Sequence, residues 1–147
     1  NSHLSAVTGT PADQRGWIEQ YKHREAEGRE YYYVIERRSD AQRCGTVRLY
    51  NIQHDRFTWG SWILDENKPA KAALESAVLS FGAGFDDQNV CKALIDVRHL
   101  NTHATAFYRR FGATETGRDA DNIYFELTRD KFIAGREGFR QIIEAQE

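Results

Sequence analysis

The segment from residue 93 to residue 112 constrains the fold most, because it places a buried strand directly before a short capped helix. Residues 93–97 form a largely apolar run with a β-branched pair, which is typical of a buried strand. Asn101 follows this run, and asparagine is a favoured helix N-cap. Gly112 is a typical helix stop. The chain is therefore predicted to leave the sheet and enter a helix at Asn101.

The helix after Asn101 carries one apolar stripe, which predicts a buried face. Arg109 and Arg110 fall outside this stripe. A tyrosine inside the stripe points inward, and a buried phenol needs a partner for its hydroxyl. From the residues alone Tyr108 is either a core tyrosine bonded to a backbone carbonyl or a functional group. The stripe consists of Ala104, Phe107, Tyr108 and Phe111.

The remaining elements predict an α+β fold around a mixed, mostly antiparallel sheet flanked by helices. A helix should run from the N-cap Thr10 to about Gly28. Aromatic and β-branched runs at 31–35, 45–50 and 57–64 predict an antiparallel meander, and helical periodicity follows from about 70 to 85. A strand near Glu115 and a return over 122–127 come after the Asn101 helix. An additional C-terminal helix is marked by Phe132, Phe139, Ile142 and Ile143.

Length and charge narrow the class of protein. A chain of 147 residues is predicted to form a single domain over 1–147. A net charge of −2 argues against a nucleic-acid partner. No window is apolar enough to span a membrane, and no secretory signal pattern is present. We therefore expect a soluble, cytoplasmic protein with no membrane partner.

The cysteines and the first residue carry two smaller expectations. Cys44 and Cys91 lie in separate apolar-flanked segments, so we expect reduced core residues and no disulfide. The chain contains no methionine and begins with Asn1, and we expect it to lack a native first strand.

The order of these elements resembles the GNAT acyltransferase superfamily over nearly the whole chain. In that family the loop before the long helix wraps the pyrophosphate of acetyl-CoA, with the pattern Gln or Arg, two residues, Gly, one residue, then Gly or Ala. A helix N-terminus suits a phosphate because its N–H groups are unpaired. Here Lys68 takes the leading basic position and Ala73 the final small one, but Lys71 stands where glycine is expected and Pro69 removes a donor. The resemblance implies a cofactor-binding loop formed by Lys68, Ala70, Lys71, Ala72 and Ala73; an ordinary solvated helix turn is the alternative.

The Asn101 helix matches the family pattern more fully. The resemblance implies that Asn101 binds the pantetheine or phosphate arm of acetyl-CoA, that Ala104 and Phe107 pack against it, and that Tyr108 lies near its sulfur. A phenol with a pKa of about 10 keeps its proton until a thiolate, whose thiol pKa is about 8.5, needs it. Tyr108 is therefore the expected general acid. A backbone N–H near Ile63 and Leu64 is expected to hold the oxyanion, as in the family.

The general base is harder to assign. His54 and Asp96 are the first candidates, followed by Glu66 and Glu75, and each has a structural alternative as a turn, strand, loop or helix-surface residue. A helix that starts at Asn101 separates His99 from His103, so their spacing does not predict a metal site.

The sequence does not decide which amine is the acceptor or whether the chain pairs with a second subunit. The aromatic strands resemble the branch that contains ribosomal-protein alanine acetyltransferases and the sugar-nucleotide amine acetyltransferases of pseudaminic-acid-type pathways. An amino-sugar acceptor is slightly preferred over a protein N-terminal amine, with antibiotic or polyamine amines third. The C-terminal helix could cover the acceptor cleft or form a homodimer. A GNAT-fold module that binds acyl-CoA without turnover is the alternative function, and Lys71 is its best support.

Overall fold

The computed structural model describes residues 30–36, 40, 42–64 and 71–145. Within these residues the first three strands are β1 (Tyr31–Glu36), β2 (Arg43–Tyr50) and β3 (Arg56–Leu64), followed by α1 (Ala72–Gln88) and β4 (Lys92–Arg98). The chain continues as α2 (Thr102–Phe111), β5 (Thr114–Arg118), β6 (Asn122–Thr128) and α3 (Arg129–Glu144). The helix predicted after Thr10 lies outside the described residues, as do positions 65–70.

The predicted α+β fold is confirmed. The six strands form one sheet in the order β1-β2-β3-β4-β6-β5. Only β3 and β4 are parallel, because α1 crosses between them, and the other neighbours are antiparallel. The element boundaries agree with the sequence to within a few residues; α1 begins at Ala72 where its periodicity predicts a start near residue 70.

The parallel pair opens into a wedge. β3 and β4 pair over a short stretch only. It begins where Arg56 lies opposite Lys92 and ends where Thr58 lies opposite Leu94. Beyond those pairs β3 continues alongside β2, and β4 continues alongside β6. β3 also contains a register shift near Ser61, whose φ of 49° marks a bulge. The C-terminal halves of the two strands therefore face each other without pairing, and we call this space the wedge.

The core lies on one face of the sheet. Trp59 of β3 stacks on Phe81 of α1 with ring centroids 4.4 Å apart, and Phe81 also contacts Phe111 of α2 at 5.4 Å. Both helices thus cover the same face. The opposite face, which we call the outer face, carries the alternate strand residues Arg48, Tyr50, Leu94, Asp96 and Tyr124.

The C-terminal helix packs on the other helices. Phe132 is fully buried against Phe81 and Phe85, and Phe139 stacks on Phe111 with centroids 4.7 Å apart. α3 therefore completes the core on the helix-covered face.

The two cysteines differ in environment. Cys44 is buried as predicted, but Cys91 is exposed. The prediction for Cys91 was wrong because this residue comes immediately before β4, where its Sγ donates to the Asp55 carbonyl at 3.2 Å at the sheet margin. Among the described residues no helix is both long and apolar enough to cross a bilayer.

Gly84 allows α1 to approach β3 closely, which gives a stability prediction. A Cβ on Gly84 would lie 2.4 Å from Phe57 Cζ and 2.9 Å from Leu49 Cδ2, both in the closed core. We expect Gly84→Ala to lower the free energy of unfolding by about 1–3 kcal/mol through overpacking. Gly138→Ala is the matched helix control, since nothing lies within 4 Å of its added Cβ. Urea unfolding should show the control unchanged or stabilised; equal stability of the two variants would contradict this packing.

Candidate active site

Tyr108 lies at the inner side of the wedge, on α2. It is only 5 % exposed, and its ring contacts Trp59 at 5.8 Å, Trp62 at 6.0 Å and Phe125 at 5.8 Å between centroids. Among the described residues its hydroxyl makes no hydrogen bond, so the expected backbone carbonyl partner is not found. A phenol held this way has its hydroxyl available for a ligand.

Burial and a nearby carboxylate keep this phenol protonated. Desolvation raises the pKa of Tyr108 well above its ordinary value, and the negative charge of Asp96 raises the pKa further. Tyr108 thus remains a proton donor throughout the neutral and mildly alkaline range.

The raised pKa makes stability depend on alkaline pH. Above pH of about 10 the unfolded chain loses the Tyr108 proton while the folded protein keeps it, so stability falls by up to about 1.4 kcal/mol per pH unit. The Tyr108 contribution is complete below that pH and is lost as the pH rises towards the folded-state pKa. Thermal or urea unfolding from about pH 9.5 to 11 should therefore show a steeper loss in wild type than in Tyr108→Phe. Parallel slopes would contradict the raised pKa.

Two tryptophans of β3 hold the aromatic wall beside Tyr108. Trp59 Nε1 donates to Ser80 Oγ at 2.8 Å, and Trp62 Nε1 donates to Ser76 Oγ at 3.1 Å. Ser76 and Ser80 are one helical turn apart on α1 and are both buried. The sequence interpretation missed these serines; the only signal was that buried indole N–H groups need acceptors.

The predicted cap at Asn101 is confirmed. Its side-chain Oδ1 accepts from Ala104 N at 3.1 Å, and Gly112 ends the helix with a φ of 111°. Oδ1 accepts the cap hydrogen bond, and the Nδ2 amide group is the part of the Asn101 side chain that can donate to a ligand. Ala104 and Phe107 are half-buried on the same helix, and Phe107 contacts Trp62 at 5.1 Å.

The start of α1 carries one residue in the left-handed backbone region. Lys71 adopts a φ of 67°, the left-handed conformation that favours glycine, at the position where the family pattern has glycine. No side chain caps this helix, and no hydrogen bond to the amides of Ala72 and Ala73 is found within the described residues. Among the described residues nothing occupies these amides, and a helix N-terminus of this kind suits an anion. Lys68 and Ala70 lie outside the described residues.

A backbone donor lines the wedge at the end of β3. The Ile63 carbonyl lies against Gly45 of β2, where an added Cβ would be 2.1 Å from the oxygen. All described peptide bonds are trans, so the Leu64 N–H points the opposite way, towards the unpaired edge of β3. Of the two expected positions, Leu64 therefore has the orientation that an oxyanion donor needs.

The base candidates are separated by the fold. Asp96 is exposed on the outer face, directly opposite Tyr124 of β6, and its charge acts on Tyr108. His54 is exposed in the turn before β3, at the paired end of the wedge strands, and is not brought together with Tyr108. Glu75 lies in the first turn of α1, and Glu66 lies outside the described residues.

The described part of the chain contains no cluster of three or more His, Cys, Asp or Glu side chains that could hold a metal ion.

Comparison with known proteins identifies the fold family. The family model described as "Acetyltransferase (GNAT) domain" matches residues 3–114. No curated protein sequence is significantly similar to the chain. A solved structure of apo FdhC, described as a nucleotide-linked sugar GNAT, is 37 % identical with a TM-score of 0.86, over 95 % of this chain and 80 % of that chain.

Two more distant structures share the fold. The Campylobacter jejuni N-acetyltransferase PseH in complex with acetyl coenzyme A has 17 % identity and a TM-score of 0.68, over 80 % of this chain and 79 % of that chain. A variant of spermidine N-acetyltransferase SpeG from Vibrio cholerae has 20 % identity and a TM-score of 0.71, over 82 % and 78 %. The resemblance drawn from the order of elements is thus confirmed. The chain belongs to the GNAT acetyltransferase family, and it is an N-acetyltransferase.

Proposed function

We propose that this protein transfers an acetyl group from acetyl-CoA to the primary amine of a nucleotide-linked amino sugar. The observation that carries this proposal is Tyr108, a protonated phenol at the wedge that has no hydrogen-bond partner among the described residues. Similarity to FdhC, a nucleotide-linked sugar GNAT, supports the acceptor class. The acetyl coenzyme A in the PseH complex supports the donor.

The donor half of the site is assigned from three elements. The amides of Ala72 and Ala73, at the start of α1, would hold the pyrophosphate together with the charge of Lys71. Asn101 Nδ2 would donate to the pantetheine arm, and the apolar faces of Ala104 and Phe107 would pack on it. The unpaired edge of β3 would line the path of this arm into the wedge. Lys68 and Ala70 complete the proposed loop.

Each residue has a defined part in the chemistry. As the amine nitrogen bonds to the acetyl carbon, the Leu64 N–H stabilises the negative charge on the acetyl oxygen. When the carbon–sulfur bond breaks, Tyr108 gives its proton to the departing thiolate. Asp96 is the preferred acceptor for the amine proton, directly or through water, because it is the base candidate whose charge reaches Tyr108. His54 is a weaker candidate.

Binding and turnover can be tested separately. Isothermal titration should show acetyl-CoA binding, and thiol release should then require an added amine. An amine panel would contain a nucleoside-diphosphate-linked amino sugar, glucosamine, spermidine and a peptide with an N-terminal alanine. The highest kcat/KM for the nucleoside-diphosphate-linked amino sugar would support the proposal. Acetyl-CoA binding without thiol release in the presence of any of these amines would favour a module that binds acyl-CoA without turnover. No binding of acetyl-CoA would overturn both the enzymatic proposal and this alternative.

Asn101 offers a sharper test of the donor site, because two substitutions separate its two contacts. Asn101→Asp keeps the cap oxygen and loses the amide donor, whereas Asn101→Ala loses both. We expect both variants to bind acetyl-CoA about tenfold more weakly or worse. Only Asn101→Ala should also lose about 1 kcal/mol of stability. Wild-type affinity in Asn101→Asp would remove Asn101 from the donor site.

A further inference from the structure

Arg48 on the outer face is fixed by its neighbours before any ligand binds. Its guanidinium carbon lies 3.8 Å from the centroid of the Tyr50 ring and 5.8 Å from that of Tyr32. Nε lies 3.2 Å from Oε2 of Glu30, a residue only 7 % exposed. Gly60 stands opposite Arg48 on β3 and adds no side chain, which leaves room for the Tyr50 ring.

The Arg48 guanidinium keeps donors for which no hydrogen bond is found among the described residues. The ion-pair contact to Glu30 is made through Nε, and no hydrogen bond from Nε or from the two terminal nitrogens is found among the described residues. The Arg48 side chain is 28 % exposed. A planar guanidinium fork matches the geometry of two phosphate oxygens, and less entropy is lost on binding because the side chain is already held.

Arg48 lies on the same face of the sheet as Asp96, the proposed acceptor of the amine proton. Burial raises the pKa of Tyr50, on which Arg48 stacks, and the charge of Asp96 raises this pKa further, whereas the charge of Arg48 lowers it. Asp96 lies on β4 across the wedge from β2 and β3. The outer face thus presents a cationic fork on one side of the wedge and a carboxylate on the other.

We propose that Arg48 binds the phosphoryl oxygens of the acceptor while the acceptor amine lies beside Asp96. This inference rests on the proposed function and names Arg48 as its specificity determinant. An amine that carries a diphosphate matches both charges. A polyamine, which has only positive charges, would be repelled by Arg48.

The test measures diphosphate binding in protein already saturated with coenzyme A, so that the donor pyrophosphate site is filled. Thymidine diphosphate and uridine diphosphate are titrated calorimetrically into wild type, Arg48→Lys and Arg48→Gln. Arg43→Gln is the matched control, because Arg43 is exposed on the same strand. Arg48→Lys keeps the charge opposite Glu30 and serves as the folded variant that lacks only the fork. Coenzyme A affinity and thermal unfolding report on the fold of each variant.

We expect both Arg48 variants to bind the diphosphates at least about tenfold more weakly, and Arg43→Gln to bind as wild type does. Equal affinity in Arg48→Gln and wild type, or no diphosphate binding by wild type, would overturn the role of Arg48. Failure of acetyl transfer itself is recognised separately, because thiol release with the amine panel is measured in wild type.

Discussion

Replacing Tyr108 by phenylalanine should lower kcat by about 10²- to 10⁴-fold, the usual contribution of a general acid. The substitution removes one hydroxyl and leaves the ring contacts with Trp59 and Trp62 in place. Because the hydroxyl has no hydrogen-bond partner among the described residues, stability at neutral pH should change by less than about 0.5 kcal/mol. Steady-state kinetics with a saturating amine and titration of acetyl-CoA measure the two effects.

Tyr31→Phe is the control for this loss. Tyr31 is a half-buried tyrosine of β1 that packs against the core, away from the wedge strands. It should retain wild-type kcat. If Tyr108→Phe also turns over at the wild-type rate, the proton for the thiolate comes from another group; if it loses acetyl-CoA binding instead, the role of Tyr108 is in binding.

Truncating Trp59 should cause the largest loss of stability among these variants. Trp59 is fully buried, stacks on Phe81 and donates to Ser80. Trp59→Ala should reduce the free energy of unfolding by about 3–5 kcal/mol. The free energy of unfolding of a small domain is only about 5–15 kcal/mol. The Trp59→Ala variant will therefore be close to unfolded at about 37 °C. Urea unfolding at lower temperature gives the value.

Ser80 and Leu79 separate the indole hydrogen bond from the packing. Ser80→Ala leaves the Trp59 N–H buried without its acceptor and should cost about 1–3 kcal/mol. Leu79, its neighbour on α1, is 66 % exposed, and Leu79→Ala should cost less than about 0.5 kcal/mol. Equal losses in the two variants would contradict the assigned hydrogen bond.

Local chemistry made one part of the site predictable. Asn101 and Gly112 act through the backbone of their own helix, so their cap roles followed from residue type and spacing. The change from strand to helical periods also predicted the order of the elements that lie among the described residues. Tyr108 was placed inward for the same reason, by its position in the apolar stripe.

Features that depend on distant contacts were not predictable. The wedge exists because β3 and β4 stop pairing after Thr58 and Leu94, and no residue pattern marks that point. Ser76 and Ser80 acquire their roles only when α1 meets β3. Lys71 could not be judged from residue type either. Its side chain breaks the family pattern, but its backbone adopts the left-handed conformation that favours glycine.

The outer face of the sheet carries two charges that bear on the class of amine acceptor. Arg48 and Asp96 have no sequence motif in common, and only the sheet order places them on the two sides of the wedge. Their charges favour an acceptor that is cationic at one end and anionic at the other. This pattern separates a nucleotide-linked amino sugar from a polyamine more clearly than the fold family does.

The most direct measurement of the central claim is mass spectrometry of an acceptor mixture after reaction with acetyl-CoA. The mixture holds a nucleoside-diphosphate-linked amino sugar, glucosamine, spermidine and an alanine-terminated peptide at equal concentration. We predict that the linked sugar gains one acetyl group first, with one thiol released per amide formed, and that Tyr108→Phe slows this product. Preferential acetylation of spermidine or the peptide, or no acetylated product at all, would contradict the account.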